Sequence, residues 1–229
     1  MLPIQRLSFS GCGWLFPYHV GVLAYLKSQN IVNSSTILSG VSGGALVAVA
    51  EACGLTEEEI ISVAADIVKK QSCSGTKMWG NMSSIVEEAM MTALPDDAHI
   101  KSNSRVSIAI TQVSNTKQKV FVPLLSCLPG VTKNIWSEPT MFGVSNDDID
   151  RNDTSFRNKH DLIQGCLASS HIPYYMDNAF SKKWRNLNWV DGGMKNILPA
   201  IPKEHHDNCI QSLPYQIMTA FRNDTNSII

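Results

Sequence analysis

A chain of 229 residues that is 44% hydrophobic and only 17% charged carries enough apolar material for one sizeable core, which excludes an intrinsically disordered protein. Its 19 basic and 20 acidic residues leave a formal net charge of -1 without a Lys/Arg cluster, so the electrostatic footprint of a nucleic-acid-binding protein is missing. No apolar run approaches the roughly 18 residues of a membrane span, and Pro3 and Arg6 interrupt the place of a signal-peptide core, so any membrane contact is expected to be peripheral.

In chain order, Ile4 to Ser10 reads as a short strand that breaks at Gly11-Cys12-Gly13, after which Pro17 fits the first turn of a helix carrying Val20, Leu23, Ala24 and Leu26. Thr36, Ile37 and Leu38 form a weaker strand signal, followed by Gly40-Val41-Ser42-Gly43-Gly44 and a small-residue helix from Ala45 to Cys53. Thr56 with Glu59 makes a capping box for a helix through about Lys70, and Ser84 with Glu87 makes another for a helix near Ile85 to Ala93, stopped by Leu94-Pro95. Val106 to Val113 alternates as a strand should, and Val120 to Leu125 reads as its neighbour, placed at an edge by Pro123. Residues 127–157 are rich in Pro, Gly, Asn, Asp and Ser with Trp136, Phe142 and Phe156 scattered among them, which predicts a long surface excursion. A helix from about Lys159 to Ser169, an aromatic loop at Pro173, Tyr174 and Tyr175, and a short strand into Trp189-Val190-Asp191-Gly192-Gly193 follow. This alternation, without an internal repeat or linker, predicts one α/β domain over 1–229 with a mostly parallel sheet covered on both faces.

The stretch around Ser42 fits Gly-x-Ser-x-Gly in the strand-turn-helix setting that exposes a serine nucleophile. Gly40 and Gly44, two before and two after, let the chain double back, and a serine at a helix N-terminus lies where partial positive charge favours an oxyanion. Such a serine needs a base, and residues 1 to 50 contain no Asp or Glu. Two arrangements satisfy the need. A triad would use His205 or His206 with Asp177 or Asp191, but in that hydrolase order the elbow follows several strands, and here only one strand and one helix precede it. A dyad would pair Ser42 directly with Asp191, which ends an apolar strand and is followed by two glycines; the plainer alternative is a turn aspartate capping its own backbone.

Gly11-Cys12-Gly13 supplies closely spaced N–H groups that suit an oxyanion hole. A dinucleotide loop is disfavoured there, because Phe16 stands at the third glycine position and no acidic residue precedes Glu51. Six cysteines (Cys12, Cys53, Cys73, Cys127, Cys166, Cys209), widely spaced and without a Cys-x-x-Cys pair, read as reduced thiols of a cytoplasmic protein. The cluster Asp147, Asp148, Asp150 and Asp153 lacks the spacing of a calcium loop, and no metal or cofactor is implied.

Ser10-Gly11-Cys12-Gly13, Tyr18-His19-Val20-Gly21-Val22, Gly40-Val41-Ser42-Gly43-Gly44 and Asp191-Gly192-Gly193, in that order, resemble the patatin-like phospholipase family, in particular its adipose triglyceride lipase and adiponutrin subgroup. Further likeness runs through Leu94-Pro95, Arg105 to Val113, Leu162 to Pro173 and Asn196-Ile197-Leu198-Pro199, so it covers roughly residues 5 to 200. The resemblance implies a three-layer α/β/α fold and a lipid acyl-ester hydrolase of triacylglycerol lipase or phospholipase A type, acting at a membrane or lipid-droplet surface. It implies Ser42 as nucleophile and Asp191, 149 residues later, as base, with Gly11, Cys12, Gly13 and Gly43 as oxyanion-hole positions and His19 structural. Two departures, Trp14-Leu15-Phe16-Pro17 after the glycines and a long 127–157 segment with a short C-terminal end, keep a catalytically weak lipid-binding protein as a rival, and a soluble esterase using His205 and His206 in a triad is a third option.

Overall fold

A computed structural model describes residues 4–73, 80–113, 136–143, 154–199 and 209–214. Strand β1 (Arg6–Phe9) leads through a 3-10 turn (Gly13–Leu15) into helix α1 (Phe16–Ser28), where Pro17 occupies a first-turn position whose N–H has no intrahelical acceptor to lose. Strand β2 (Ile37–Val41) runs into α2 (Gly43–Ala52). Helix α3 (Glu57–Cys73) opens on a reciprocal box: the Thr56 N–H donates to Glu59 Oε2 at 2.7 Å and the Glu59 N–H to Thr56 Oγ1 at 3.2 Å. Then come α4 (Met82–Ala93), α5 (Ala98–Asn103), β3 (Val106–Val113), β4 (Trp136–Gly143), α6 (Lys159–Ser169), β5 (Lys182–Trp184), β6 (Leu187–Asp191) and β7 (Cys209–Ser212).

Two expectations need correction. Helix α4 starts at Met82, ahead of Ser84, whose hydroxyl donates to the Asn81 carbonyl (3.0 Å) from inside the first turn instead of capping it. The segment 127–157 is not wholly a surface excursion, because β4 lies within it and pairs antiparallel with β3, while Phe142 and Phe156 are core residues. Phe142 packs edge-on against Trp184 and Trp189, and these contacts outweigh the breaking tendency of Pro139. Residues 127–135 and 144–153 lie outside the described residues, as does the expected strand Val120 to Leu125.

The architecture is α/β, with a central, mostly parallel sheet flanked by helices. Strands β7, β1, β2 and β3 run parallel; β4, β5 and β6 add antiparallel pairings at the β3 side. Alternation puts Leu7, Phe9, Leu38, Val106, Ile108 and Ile110 on one sheet face, all fully buried, against α2 and α6, which contribute Ala45, Ala48, Leu162, Ile163, Cys166 and Leu167. Each large aliphatic side chain removed from water there contributes about 1.5–3 kcal/mol. The opposite face carries Arg6, Ser8, Ser39, Ser107 and Thr111, also buried, with Arg6 Nη1 donating to Ser39 Oγ at 2.7 Å.

One feature of the topology positions the site. Strand β4 pairs with β3 from Ser107 to Thr111 along one edge, so β2 and β6 must share the other. On that edge β2 pairs with Val106 to Ala109 and β6 with Ile110 to Gln112, in opposite directions. Their C-terminal ends therefore meet head-on, Val41 opposite Ala109 and Asp191 opposite the next residue, Ile110.

Candidate active site

Ser42 lies at the end of β2, between Val41 and the first residue of α2, and makes the reversal alone, with φ 55° and ψ -127°. A positive φ costs a non-glycine residue about 1–3 kcal/mol, so the surrounding chain must hold it. It does so by close approach: a Cβ on Gly40 would sit 2.5 Å from the Ala45 N and the Gly44 carbonyl oxygen, and one on Gly44 would sit 2.5 Å from the Ser10 carbonyl oxygen. The turn can be this tight only with hydrogen atoms in those two places.

Asp191 ends β6 where that strand meets β2. Its N–H donates to the His171 carbonyl at 2.9 Å, its Oδ1 accepts from the Gly193 N–H at 2.6 Å, and Thr111 Oγ1 donates to the Gly192 carbonyl at 3.2 Å. Gly192 crosses β3 so closely that a Cβ would lie 2.4 Å from the Ala109 carbonyl oxygen. Burial pushes the Asp191 carboxyl up to about 6, opposed by hydrogen bonds from the Ser42 hydroxyl and the Gly193 N–H. No cation among the described residues contributes to that balance. The serine hydroxyl thus lies close enough to lower the carboxyl's proton affinity, while burial leaves that affinity above an ordinary aspartate's.

The glycine loop lies against the start of α2, since a Cβ on Gly43 would come within 2.8 Å of Cys12 Sγ and 2.9 Å of the Gly13 carbonyl oxygen. Gly13 has φ +51°, and Gly43, as the first residue of α2, has an N–H without an intrahelical acceptor. Gly11 departs from the expectation of a donor: its N–H is taken by the Ile197 carbonyl at 2.8 Å, because the segment after Asp191 folds back over the loop. Gly11 instead lies against Ser42, where a Cβ would come within 3.7 Å of the Ser42 Cβ. The Cys12 thiol is pushed up to about 12, by burial first and by the Asp191 charge second, which keeps it protonated.

His19 and His171 have other partners. His19 Nε2–H donates to the Ser10 carbonyl at 3.0 Å, leaving Nδ1 to accept from the Ser212 hydroxyl at 2.7 Å, and burial holds it down to about 4, so a neutral ring ties α1 to β1 and β7. His171 is held down chiefly by burial, with Asp177 at 3.7 Å opposing; Asp177 also accepts from the Ala179 N–H. Neither of these two rings is hydrogen-bonded to Ser42. His205 and His206 lie outside the described residues, as does the aspartate cluster at 147–153. Sequence reasoning missed the carbonyls of His171 and Ile197 and the hydroxyl of Thr111; backbone acceptors have no residue signature. No helix among the described residues is long and apolar enough to cross a membrane.

A family model described as patatin-like phospholipase matches residues 7–202. Human 1-acylglycerol-3-phosphate O-acyltransferase PNPLA3 is 25% identical over 200 residues, covering 85% of this chain and 35% of its own length. Mouse patatin-like phospholipase domain-containing protein 2 is 25% identical over 202 residues, 85% of this chain and 34% of that protein. Human patatin-like phospholipase domain-containing protein 4 is 26% identical over 206 residues, 86% of this chain and 67% of that protein. The chain thus spans about a third of the length of the first two, at 35% and 34%.

Proposed function

Because this chain belongs to the patatin-like phospholipase family, we propose that it is a lipid acyl-ester hydrolase in which Ser42 is the nucleophile and Asp191 the base. The observation that carries the reading is a buried carboxylate, raised to about 6 with no cation among the described residues to offset it, placed by the meeting strand ends beside a serine held at positive φ. Asp191 takes the hydroxyl proton as Ser42 Oγ attacks the acyl carbonyl, and N–H groups of Cys12, Gly13 and Gly43 receive the developing oxyanion. The tetrahedral species collapses with loss of the alcohol, which leaves with the proton held by Asp191, and an acyl-serine remains. Water, losing a proton to Asp191, then adds to that ester, and collapse returns the Ser42 hydroxyl and releases the fatty acid.

The substrate reading is a lipid, triacylglycerol first and glycerophospholipid second. Trp14, Ile172, Tyr174 and Ile197 are exposed apolar side chains on the segments that frame the site: the glycine loop, the loop whose His171 carbonyl holds Asp191, and the segment whose Ile197 carbonyl holds Gly11. Such side chains suit peripheral contact with a membrane or lipid-droplet surface.

The test is fatty-acid release from emulsified triacylglycerol and from phospholipid vesicles by the native chain, Ser42→Ala and Asp191→Asn, each shown to be folded. Release that vanishes in both variants supports the dyad, and the preferred lipid names the substrate. Lipid association without release by the folded native chain would replace the hydrolase with a lipid-binding protein. Loss of release on changing His205 and His206 would replace the dyad with a triad.

A further inference from the structure

In the parallel ladder between β2 and β3, the Leu38 N–H donates to the Arg105 carbonyl at 2.8 Å. Ladder donors in a parallel strand recur at every second residue, so the series continues from Gly40 to the Ser107 carbonyl and then from Ser42 to the Ala109 carbonyl. That last bond is replaced. The Ser42 N–H donates instead to Ser169 Oγ at 3.0 Å, and the Ser169 hydroxyl donates to the Ala109 carbonyl at 2.8 Å. A side-chain hydroxyl from the last residue of α6 is thus inserted between donor and acceptor of the ladder bond nearest the nucleophile. Ser169 is fully buried, and the insertion falls at the seam where β2 hands the edge of β3 to β6.

We propose that Ser169 is a positioning residue for the nucleophile: its hydroxyl bridges Ser42 to Ala109, and so fixes the strained Ser42 backbone at the distance from β3 that leaves room for Asp191 to arrive alongside. The proposal rests on the reading of Ser42 as nucleophile. Two physical arguments support it. A direct ladder bond would draw Ser42 onto β3 at the level where Asp191 takes its place opposite Ile110, whereas an interposed oxygen widens the gap and still satisfies both backbone groups. The engaged N–H also removes the Ser42 amide from the oxyanion donors, so that role falls to the glycine loop and Gly43. Removing the hydroxyl leaves a buried N–H and a buried carbonyl without partners, which the chain can relieve only by admitting water or moving Ser42.

The test compares the native chain with Ser169→Ala, with the adjacent buried Ser170→Ala as control and Ser42→Ala as the labelling blank. Ser170 has a hydroxyl without a partner among the described residues, so its loss should leave all rates unchanged. Two readouts are taken below the melting temperature of every variant: amide hydrogen exchange at Ser42, and serine labelling by a fluorophosphonate together with hydrolysis of a short-chain p-nitrophenyl ester. In Ser169→Ala, exchange at Ser42 should rise by about tenfold or more while Leu38 is unaffected, and labelling and kcat should fall by roughly ten- to a hundredfold with KM within about twofold. A merely structural residue would lower the folded fraction and move these quantities only in proportion. Where Ser169→Ala does not fold, Ser169→Cys, which keeps a weak donor and acceptor, carries both readouts and should fall between native and blank. Unchanged exchange at Ser42, or labelling within about twofold of native, overturns the proposal. A native chain that fails to label at all overturns the hydrolase reading instead, and the exchange readout still decides the role of Ser169.

Discussion

Glu51, in the last turn of α2, is 7% exposed, and Asp191, beside the first turn of the same helix, is 5% exposed, yet their partners differ in kind. Glu51 lies between Lys27 Nζ at 3.0 Å and Arg105 Nη2 at 3.3 Å, and Lys27 is shared with Glu57 at 2.9 Å. Among the described residues, Asp191 accepts from the Gly193 N–H and is influenced by the Ser42 hydroxyl, both of them neutral. The helix that separates them is about 15 Å long. A buried carboxylate with two cations is a scaffold joint, since its charge is already compensated; one without any is held short of compensation and retains affinity for a proton. The Glu51 end also has a cleft of about 300 Å³, lined by Lys27, Val32, Asn33, Thr56 and Arg105 among others, which shows that concavity and chemistry need not coincide.

Breaking the uncompensated end should have the largest effect: Ser42→Ala and Asp191→Asn should each lower fatty-acid release at least about a thousandfold, measured as initial rates at matched folded concentration. Breaking the compensated end should affect stability alone. Glu51→Ala takes the carboxylate from the partly buried Arg105 guanidinium, which is 14% exposed and keeps the Thr36 and Asn33 carbonyls as acceptors, and should cost about 1–3 kcal/mol in urea unfolding, with little of it from the more exposed Lys27; kcat should be unchanged below the melting temperature. Asp191→Asn should do the reverse and stabilise. Because the native carboxyl is raised from 3.8 to about 6, the folded state binds the proton more readily than the unfolded one, so ionised Asp191 weakens the fold above pH 6 and not below about 4. Asp191→Asn should therefore gain on the order of 1–3 kcal/mol at pH 8, a gain that disappears as pH falls through 6 towards 4.

The same titration sets the pH dependence of the reaction. A protonated Asp191 cannot accept the serine proton, so kcat/KM should fall about tenfold per pH unit below about 6, and a profile flat down to pH 5 would remove Asp191 as the base. The smallest effect is expected at the rim, where Trp14 Nε1 donates to Tyr175 Oη at 3.0 Å in an exposed setting. Trp14→Phe should cost less than about 1 kcal/mol of stability, and binding to phospholipid vesicles should weaken only where that indole meets lipid.

Much of this comparison was legible in the residues, and the rest was not for identifiable reasons. Gly40-x-Ser42-x-Gly44 and the glycines after Asp191 announce backbone crowding, and the crowding is there at 2.5 and 2.4 Å. The Thr56/Glu59 box reads from side chains alone because both of its bonds are local. Strand β4 was hidden because Pro139 and Gly143 argue against a strand, and only pairing to β3 and the packing of Phe142 against Trp184 and Trp189 override them. The β5–β6 hairpin turns on Arg185 and Asn186, both at positive φ without a glycine, so the usual turn signature is missing. Gly11 as a donor could not be judged from sequence, since its N–H is taken by a carbonyl 186 positions away.

The head-on meeting of β2 and β6 also tells which changes of chain length this protein can absorb. The distance between Ser42 and Asp191 is set by two adjacent positions on β3, Ala109 and Ile110, and not by the connections that separate them in the chain. Extra residues inserted between β3 and β6, outside the strands, should leave the pair in place, because closing a longer connection adds only about 0.6 kcal/mol for each doubling. One residue deleted from β3 at either of those positions would turn every later side chain of that strand to the opposite face and carry β6 with it. Evolution, or an engineer, is free to lengthen the connections of this domain and nearly forbidden to edit the middle of one strand.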